Sequence, residues 1–254
     1  MKQKFYRFLG LGFLVLTLVA LPGVAQSAMW VGGQVGGNFA ASPDIDITNS
    51  PAAGVTTTWK SVKIEPSVIG GITIGYDFIK EGFLGYDWPT WMKYFSFATD
   101  FTYNRFDMRR QYIDLTPPIL SARVINQDYF AGSSGVEGYM AAWTFLFMAH
   151  YGFLPDAEVP AGRLHPYVGV GPCLLFSGLD LGGMRWGNKS SLDVALVTEA
   201  GIRFMALKNV SLDAAFRYRW ASPTYGFVDS AGLNHDVSLD AHQFSFLFRA
   251  SYHF

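Results

Sequence analysis

Apolar and polar residues alternate with a period of two in eight separate stretches of the chain. That period is the mark of a β-strand whose two faces meet different surroundings. In WVGGQVGGNFA (30–40), Val31, Val35 and Phe39 oppose Gln34 and Asn38. In SVIGGITIGYDF (67–78), Val68, Ile72, Ile74, Tyr76 and Phe78 oppose Ser67, Thr73 and Asp77. YFSFATDFTYNRF (94–106) sets Phe95, Phe97, Phe101 and Tyr103 against Ser96, Asp100, Thr102 and Asn104. GYMAAWTFLFMAHYGF (138–153) sets Trp143, Phe145, Phe147 and Tyr151 against Thr144, Met148 and His150. SLDVALVTEAGIRF (191–204) sets Leu192, Val194, Leu196, Ile202 and Phe204 against Asp193, Glu199 and Arg203. NVSLDAAFRYRW (209–220) sets Val210, Leu212, Phe216, Tyr218 and Trp220 against Ser211, Asp213, Arg217 and Arg219. The last stretch, FSFLFRASYHF (244–254), carries an aromatic stripe on one face and Ser245, Arg249 and His253 on the other. HPYVGVGPCLLF (165–176) leaves its facing open, and Pro172, which lacks a ladder donor, predicts a bulge or strand end.

The connections alternate long and short. ASPDIDITNSPAAGVTTTWKSVKIEP, the stretch from about Asp107 to Glu137, SGLDLGGMRWGNKS and ASPTYGFVDSAGLNHDVSLDA are long and mostly polar. IKEGFLGYDWPTWMK, LPDAEVPAGR and MALKN are shorter. This rhythm predicts an antiparallel meander whose two ends face different compartments. Trp88 and Trp91 mark the first short connection as an interfacial segment rather than a tight turn.

Composition decides what the apolar face meets. Of the 254 residues, 50% are hydrophobic and 17% aromatic, while only 15% are charged, well below the charged quarter usual in soluble domains. No stretch past the N-terminal region is long and apolar enough for a spanning helix. An eight-stranded barrel has a narrow bore filled by side chains, and it cannot hold this many Phe, Tyr and Trp. Small and polar residues can fill it. The aromatic face therefore points outward, and an outward apolar band of that extent calls for lipid. The expected fold is all-β: an eight-stranded antiparallel up-and-down transmembrane β-barrel. Closure pairs every backbone donor and acceptor, which is what allows strands to cross hydrocarbon. Tyr76, Phe78, Tyr151, Phe204, Tyr252 and Phe254 would form one interfacial belt, and Tyr103, Trp220 and Phe244 the other. The competing architecture is a water-soluble carrier barrel with its apolar face inside.

Residues 1–28 read as a secretory signal peptide: Lys2, Lys4 and Arg7, then FLGLGFLVLTLVA, then Pro22 and the small residues of AQSA. Residues 29–254 form the barrel domain. Removing the leader leaves 16 Lys and Arg against 20 Asp and Glu, a net charge of −4. That balance gives no footing for nucleic acid. Cys173 is the single cysteine, which excludes an internal disulfide and a cysteine metal site.

HPYVGVG, EAGIRFMALKNVSLDAAFRYRW and the closing FRASYHF resemble the small outer-membrane β-barrel family that includes the opacity proteins and the OmpX and OmpA transmembrane domains. The resemblance covers the whole chain after the leader, but its motifs specify architecture rather than activity. It implies residence in the outer membrane of a Gram-negative bacterium. Tyr252 and Phe254 would act as the C-terminal assembly signal. The implied partners are outer-membrane lipid, and the barrel-assembly machinery and periplasmic chaperones during biogenesis. It names no extracellular ligand.

The inward charges are the candidate site. A three-residue loop Leu207-Lys208-Asn209, with Asn209 in the left-handed position, places Arg203 opposite Asp213 and Glu199 opposite Arg217. Arg249 and Asp100 join the same interior network, with partners left open. Two readings follow: a salt-bridge plug that holds the bore shut, or a proton or ion path. Arg217→Ala should destabilise the barrel more than Arg217→Ala combined with Glu199→Ala.

Signals for chemistry are weak. FRYRWASPTY lacks the histidine before Ser222 that a lipid-deacylating triad would need. Gly169 and Gly171 are strand glycines, not a nucleotide loop. Asp44 and Asp46 match no defined calcium loop and read as a solvated acidic segment. The chain is expected to be a non-enzymatic protein with no cofactor and no metal. Its role would be structural or surface-interacting through its outer loops; a narrow, porin-like channel is the alternative, and a lipid A-modifying enzyme the third reading.

Overall fold

A computed structural model describes residues 29–49, 56–78, 87–109, 111–116, 123–125, 136–181, 188–228, 232 and 234–254. Residues 1–28 and parts of five connections lie outside these residues. The strands in chain order are β1 (Met29–Ala40), β2 (Ile45–Asn49), β3 (Thr56–Trp59), β4 (Ser67–Asp77), β5 (Phe95–Asp107), β6 (Gln111–Ile113), β7 (Leu115–Thr116) and β8 (Arg123–Ile125). They continue as β9 (Val136–His150), β10 (Leu164–Leu181), β11 (Asn188–Leu207), β12 (Val210–Ala221), β13 (Thr224–Val228), β14 (Asn234–Leu239) and β15 (Ala241–His253).

β1, β4, β5, β9, β10, β11, β12 and β15 close into an eight-stranded barrel in which each strand pairs antiparallel with its neighbours. β1 and β15 close it, with Phe254 N bonded to Met29 O at 3.0 Å. The alternation dictates the facing. Val35, Phe97, Phe101, Trp143, Phe147, Phe246 and Phe248 are exposed on the outer wall. Gln34, Thr73, Asp100, Thr144, Glu199, Arg217 and Arg249 are buried inside. A carrier with an apolar lumen is excluded by this sidedness.

Four features differ from the sequence expectation. The strand containing Pro172 is neither bulged nor ended: β10 runs unbroken, and its register against β9 is the same on both sides of Pro172. Pro172 points outward, and the pairing with β9 lapses at Gly171 and Pro172 before resuming in the same register at Cys173. The β11–β12 hairpin has the expected Arg203–Asp213 and Glu199–Arg217 pairs but a tighter loop. Leu207 pairs with Val210, leaving Lys208-Asn209 as the turn and a register shift at Ala206. The bulge, rather than a left-handed Asn209, supplies the odd residue; the non-glycine positive-φ residues among those described are Ser61 and Leu154.

The bore is also less polar than expected. Met140, Leu175 and Val197 are buried in its outer half, Leu146 and Leu247 are buried at the level of the charges, and Cys173 belongs to the same cluster with no exposure. Finally, the outer connections are not merely polar. β13, β14, β2, β3 and β7 form a five-stranded sheet, and β6 pairs with β8. Alternation repeats there on a smaller scale: Ile45, Trp59, Tyr225, Phe227, Val237 and Leu239 are buried and join the same apolar cluster as Leu175, Leu179 and Val197. The Tyr225 hydroxyl donates to Ser177 Oγ at 2.8 Å, tying this cap to β10. At the opposite end a 3₁₀ turn, Thr90–Tyr94, carries the exposed Trp91, and Trp88 packs edge-on against Phe78 at 5.0 Å.

Candidate functional site: the charged interior

Six strands of the barrel, β1, β5, β10, β11, β12 and β15, send charged or polar groups to one level of the bore. β12 contributes Arg217, whose position opposite Glu199 follows directly from the hairpin register. Its Nε donates to Glu199 Oε2 at 2.7 Å. Its Nη1 and Nη2 donate across the bore to Asp100 Oδ1 and Oδ2 of β5, at 3.0 and 2.5 Å. This fork-to-fork geometry is the strongest guanidinium–carboxylate arrangement. It is out of solvent, with Arg217 at 0% exposure and Asp100 and Glu199 at 2%.

A second arginine closes the level towards the short-turn end. Arg249 of β15 donates from Nη2 to Glu199 Oε1 at 3.2 Å and to Gln34 Oε1 at 2.9 Å. Its Nη1 reaches Asp213 Oδ2 at 3.4 Å and the Tyr167 hydroxyl at 3.5 Å. Tyr167 donates in turn to Glu199 Oε1 at 3.0 Å. Glu199 is therefore held by β10, β12 and β15 at once. Below it, Arg203 faces Asp213 at 3.4 Å and Asp77 at 3.6 Å, and lies over the Trp30 ring at 4.5 Å. Trp30 Nε1 donates to Asp77 Oδ1 at 3.2 Å.

All six network residues read from the sequence thus sit in one buried cluster. Tyr167, Gln34, Trp30 and Asp77 complete it. Parity along β1 and β4 places Trp30 and Asp77 inward, but an aromatic at an inward position runs against the outward aromatic rule. Tyr167 lay in the stretch whose facing its glycines obscured. Arg219, read as inward, stands apart: it donates to Gln243 Oε1 at 3.2 Å and Thr102 Oγ1 at 3.3 Å, with no carboxylate partner among the described residues. Among the described residues, Arg203, Arg217 and Arg249 are thus paired with Asp77, Asp100, Glu199 and Asp213, and Arg219 is held by neutral acceptors. Burial of charge is costly unless it is paired in this way.

The weaker candidates resolve as protein contacts. Asp44 accepts from Lys60 Nζ and from the Ser61 backbone N–H, each at 2.8 Å, and Asp46 accepts from Thr58 at 2.5 Å. Lys60 and the Ser61 amide hold the Asp44 carboxyl below the usual carboxylate range. Ser222 donates to Asp240, whereas His242 bonds to Tyr218 at 2.7 Å, so the elements of a hydrolytic triad are not assembled. Tyr252 and Phe254 point outward, packed edge to face at 5.3 Å.

No protein-family model matches the chain, and no curated relative matches it. Solved structures do. The outer membrane protein OprG from Pseudomonas aeruginosa is 12% identical, with a TM-score of 0.57 over 90% of this chain and 97% of that one. AlkL, solved by solid-state NMR in DMPC lipid bilayers, is 13% identical with a TM-score of 0.49, covering 92% of this chain and 94% of its own. Neisserial surface protein A is 16% identical with a TM-score of 0.45, covering 91% and 99%. The chain has the fold of a small eight-stranded outer-membrane β-barrel.

Proposed function

We propose that this chain is an integral outer-membrane protein of a Gram-negative bacterium whose barrel is a closed, non-conducting scaffold. Its role is structural or surface-interacting, exercised through the folded outer sheet. One observation carries the reading: Arg217 spans the bore with no exposure, bonded to opposite walls through Asp100 and Glu199. An apolar plug of Leu175, Val197 and the cap residues Trp59, Tyr225 and Phe227 stands beyond it. Paired charges at this level are a plug rather than a path, because no water-filled gap separates the partners.

Sidedness supports the membrane assignment. The outer wall carries a continuous band of exposed Val, Ile, Phe and Trp, an area that water would drive to aggregate. The outward Tyr252 and Phe254 support their reading as the signal met by the barrel-assembly machinery. Single-channel recording in planar bilayers tests the proposal. The purified protein is expected to give no conductance steps; steady unitary currents would replace the scaffold with a narrow channel. Lipid A extracted from cells expressing the chain is expected to keep its mass profile, and a new or lost acyl chain would instead establish an enzyme.

A further inference from the structure

The short-turn end of the barrel holds a cavity of about 500 Å³, within the roughly 300–1,000 Å³ range of small-molecule sites. Its buried polar residues are Arg203, at 6% exposure, and His253, at 7%, with His150 and His165 half-buried beside them. Tyr94, Tyr151, Val159 and Met205 give it apolar walls, and the exposed Lys93 and Lys208 stand on its rim. Asp77 and Glu158 are its carboxylates. Both are engaged: Glu158 accepts from Arg163 at 2.8 Å, and Asp77 accepts from Trp30 Nε1.

Arg203 and Arg219 are the under-bonded arginines among the described residues of the bore, and Arg203 is the one that lines a cavity. A guanidinium carries five N–H donors, and a buried one is normally saturated with hydrogen bonds. Arg217 and Arg249 meet that expectation. Among the described residues Arg203 is engaged by two long ion pairs, Nε to Asp213 Oδ1 at 3.4 Å and Nη1 to Asp77 Oδ1 at 3.6 Å, and the Nε that faces Asp213 makes no hydrogen bond. His150 Nε2, another buried atom of the lining, likewise lacks a partner. A weakly bonded Arg203 and an unpartnered His150 Nε2 on the floor, two lysines on the rim and apolar walls suit one ligand type: an anionic head on an apolar body.

We propose that this mouth binds a small organic carboxylate, its head on Arg203 and its apolar body between Tyr94, Tyr151 and Met205. The site is independent of whether the bore conducts and of what the outer sheet contacts. Benzoate is the probe, titrated by calorimetry into the folded protein in nanodiscs of zwitterionic lipid, with empty nanodiscs as blank. Saturable binding near one per chain is expected, with benzyl alcohol, the neutral counterpart, failing to compete. Arg203→Gln should weaken it about tenfold or more, the worth of one charge-assisted hydrogen bond. Ala161→Trp, which fills the cavity from the exposed turn and leaves every charge in place, should abolish it; a boiling-dependent gel shift verifies that both variants fold. Benzyl alcohol binding as well as benzoate, inorganic phosphate binding as tightly, or unchanged affinity in folded Ala161→Trp would each overturn the assignment.

Discussion

Arg217 and Asp100 meet fork to fork across the bore although 117 positions separate them. Asp100 accepts from Arg217 through both carboxylate oxygens, whereas Glu199 also accepts from Tyr167 and Arg249. The two carboxylates that share Arg217 are therefore not equivalent, and the difference decides which double mutant restores stability.

Arg217→Ala strands the buried Asp100 and leaves Glu199 with Arg249 and Tyr167, and should lower the unfolding free energy by about 3–5 kcal/mol. Adding Asp100→Ala removes one stranded charge and should recover part of the loss. Adding Glu199→Ala should recover less, because it leaves Asp100 stranded and deprives Arg249 of the nearer of its two carboxylates, at 3.2 Å against 3.4 Å for Asp213. The Glu199–Arg217 pair expected from the hairpin is present, and Asp100 joins it as a second partner of Arg217. Urea unfolding followed by tryptophan fluorescence measures all three; an Asp100 double no better than the Glu199 double would show that the clamp is not organised this way.

The outer sheet should loosen without the barrel. Phe227 has no exposure in the cap core, and Phe227→Ala removes a filler worth about 3–5 kcal/mol when fully buried. Limited proteolysis should then cut β13 and β14 quickly while the boiling-dependent gel shift persists. Simultaneous loss of both would mean that cap and barrel unfold as one unit.

Acid should untie the first outer loop. The Asp44 carboxyl is held low by Lys60 and the Ser61 amide. A carboxyl depressed on folding stabilises above its unfolded value of about 3.9 and loses that contribution as pH falls through the folded value. The Lys60 and Ser61 resonances should therefore shift together below about pH 4, and Asp44→Asn should remove the transition. A shift centred well above pH 4 would contradict the contact.

Gly171 should refuse a side chain that Pro172 tolerates losing. A Cβ at Gly171 would sit 1.7 Å from the Phe145 carbonyl oxygen, so the strands must part to admit it. Gly171→Ala should cost at least about 1–3 kcal/mol. Pro172→Ala, facing outward, should stay within about 0.5 kcal/mol. Gel-shift midpoints in urea compare the two.

Strand number, facing and the inward charges were legible because alternation is a local code: neighbouring side chains point to opposite faces whatever the rest of the chain does. The Glu199–Arg217 pair was legible for the same reason, since a short hairpin carries its own register. Pro172 and Asn209 were not, because a bulge or a turn conformation answers to strain from both neighbouring strands. The partners of Asp100 and Arg249, the inward Trp30, the saturation of Arg217 against the long ion pairs of Arg203, and the cap over the mouth all required closure. They bring β5, β12 and β15 to one level of the bore, and that level is set by the stagger of a closed sheet, to which no single hairpin has access.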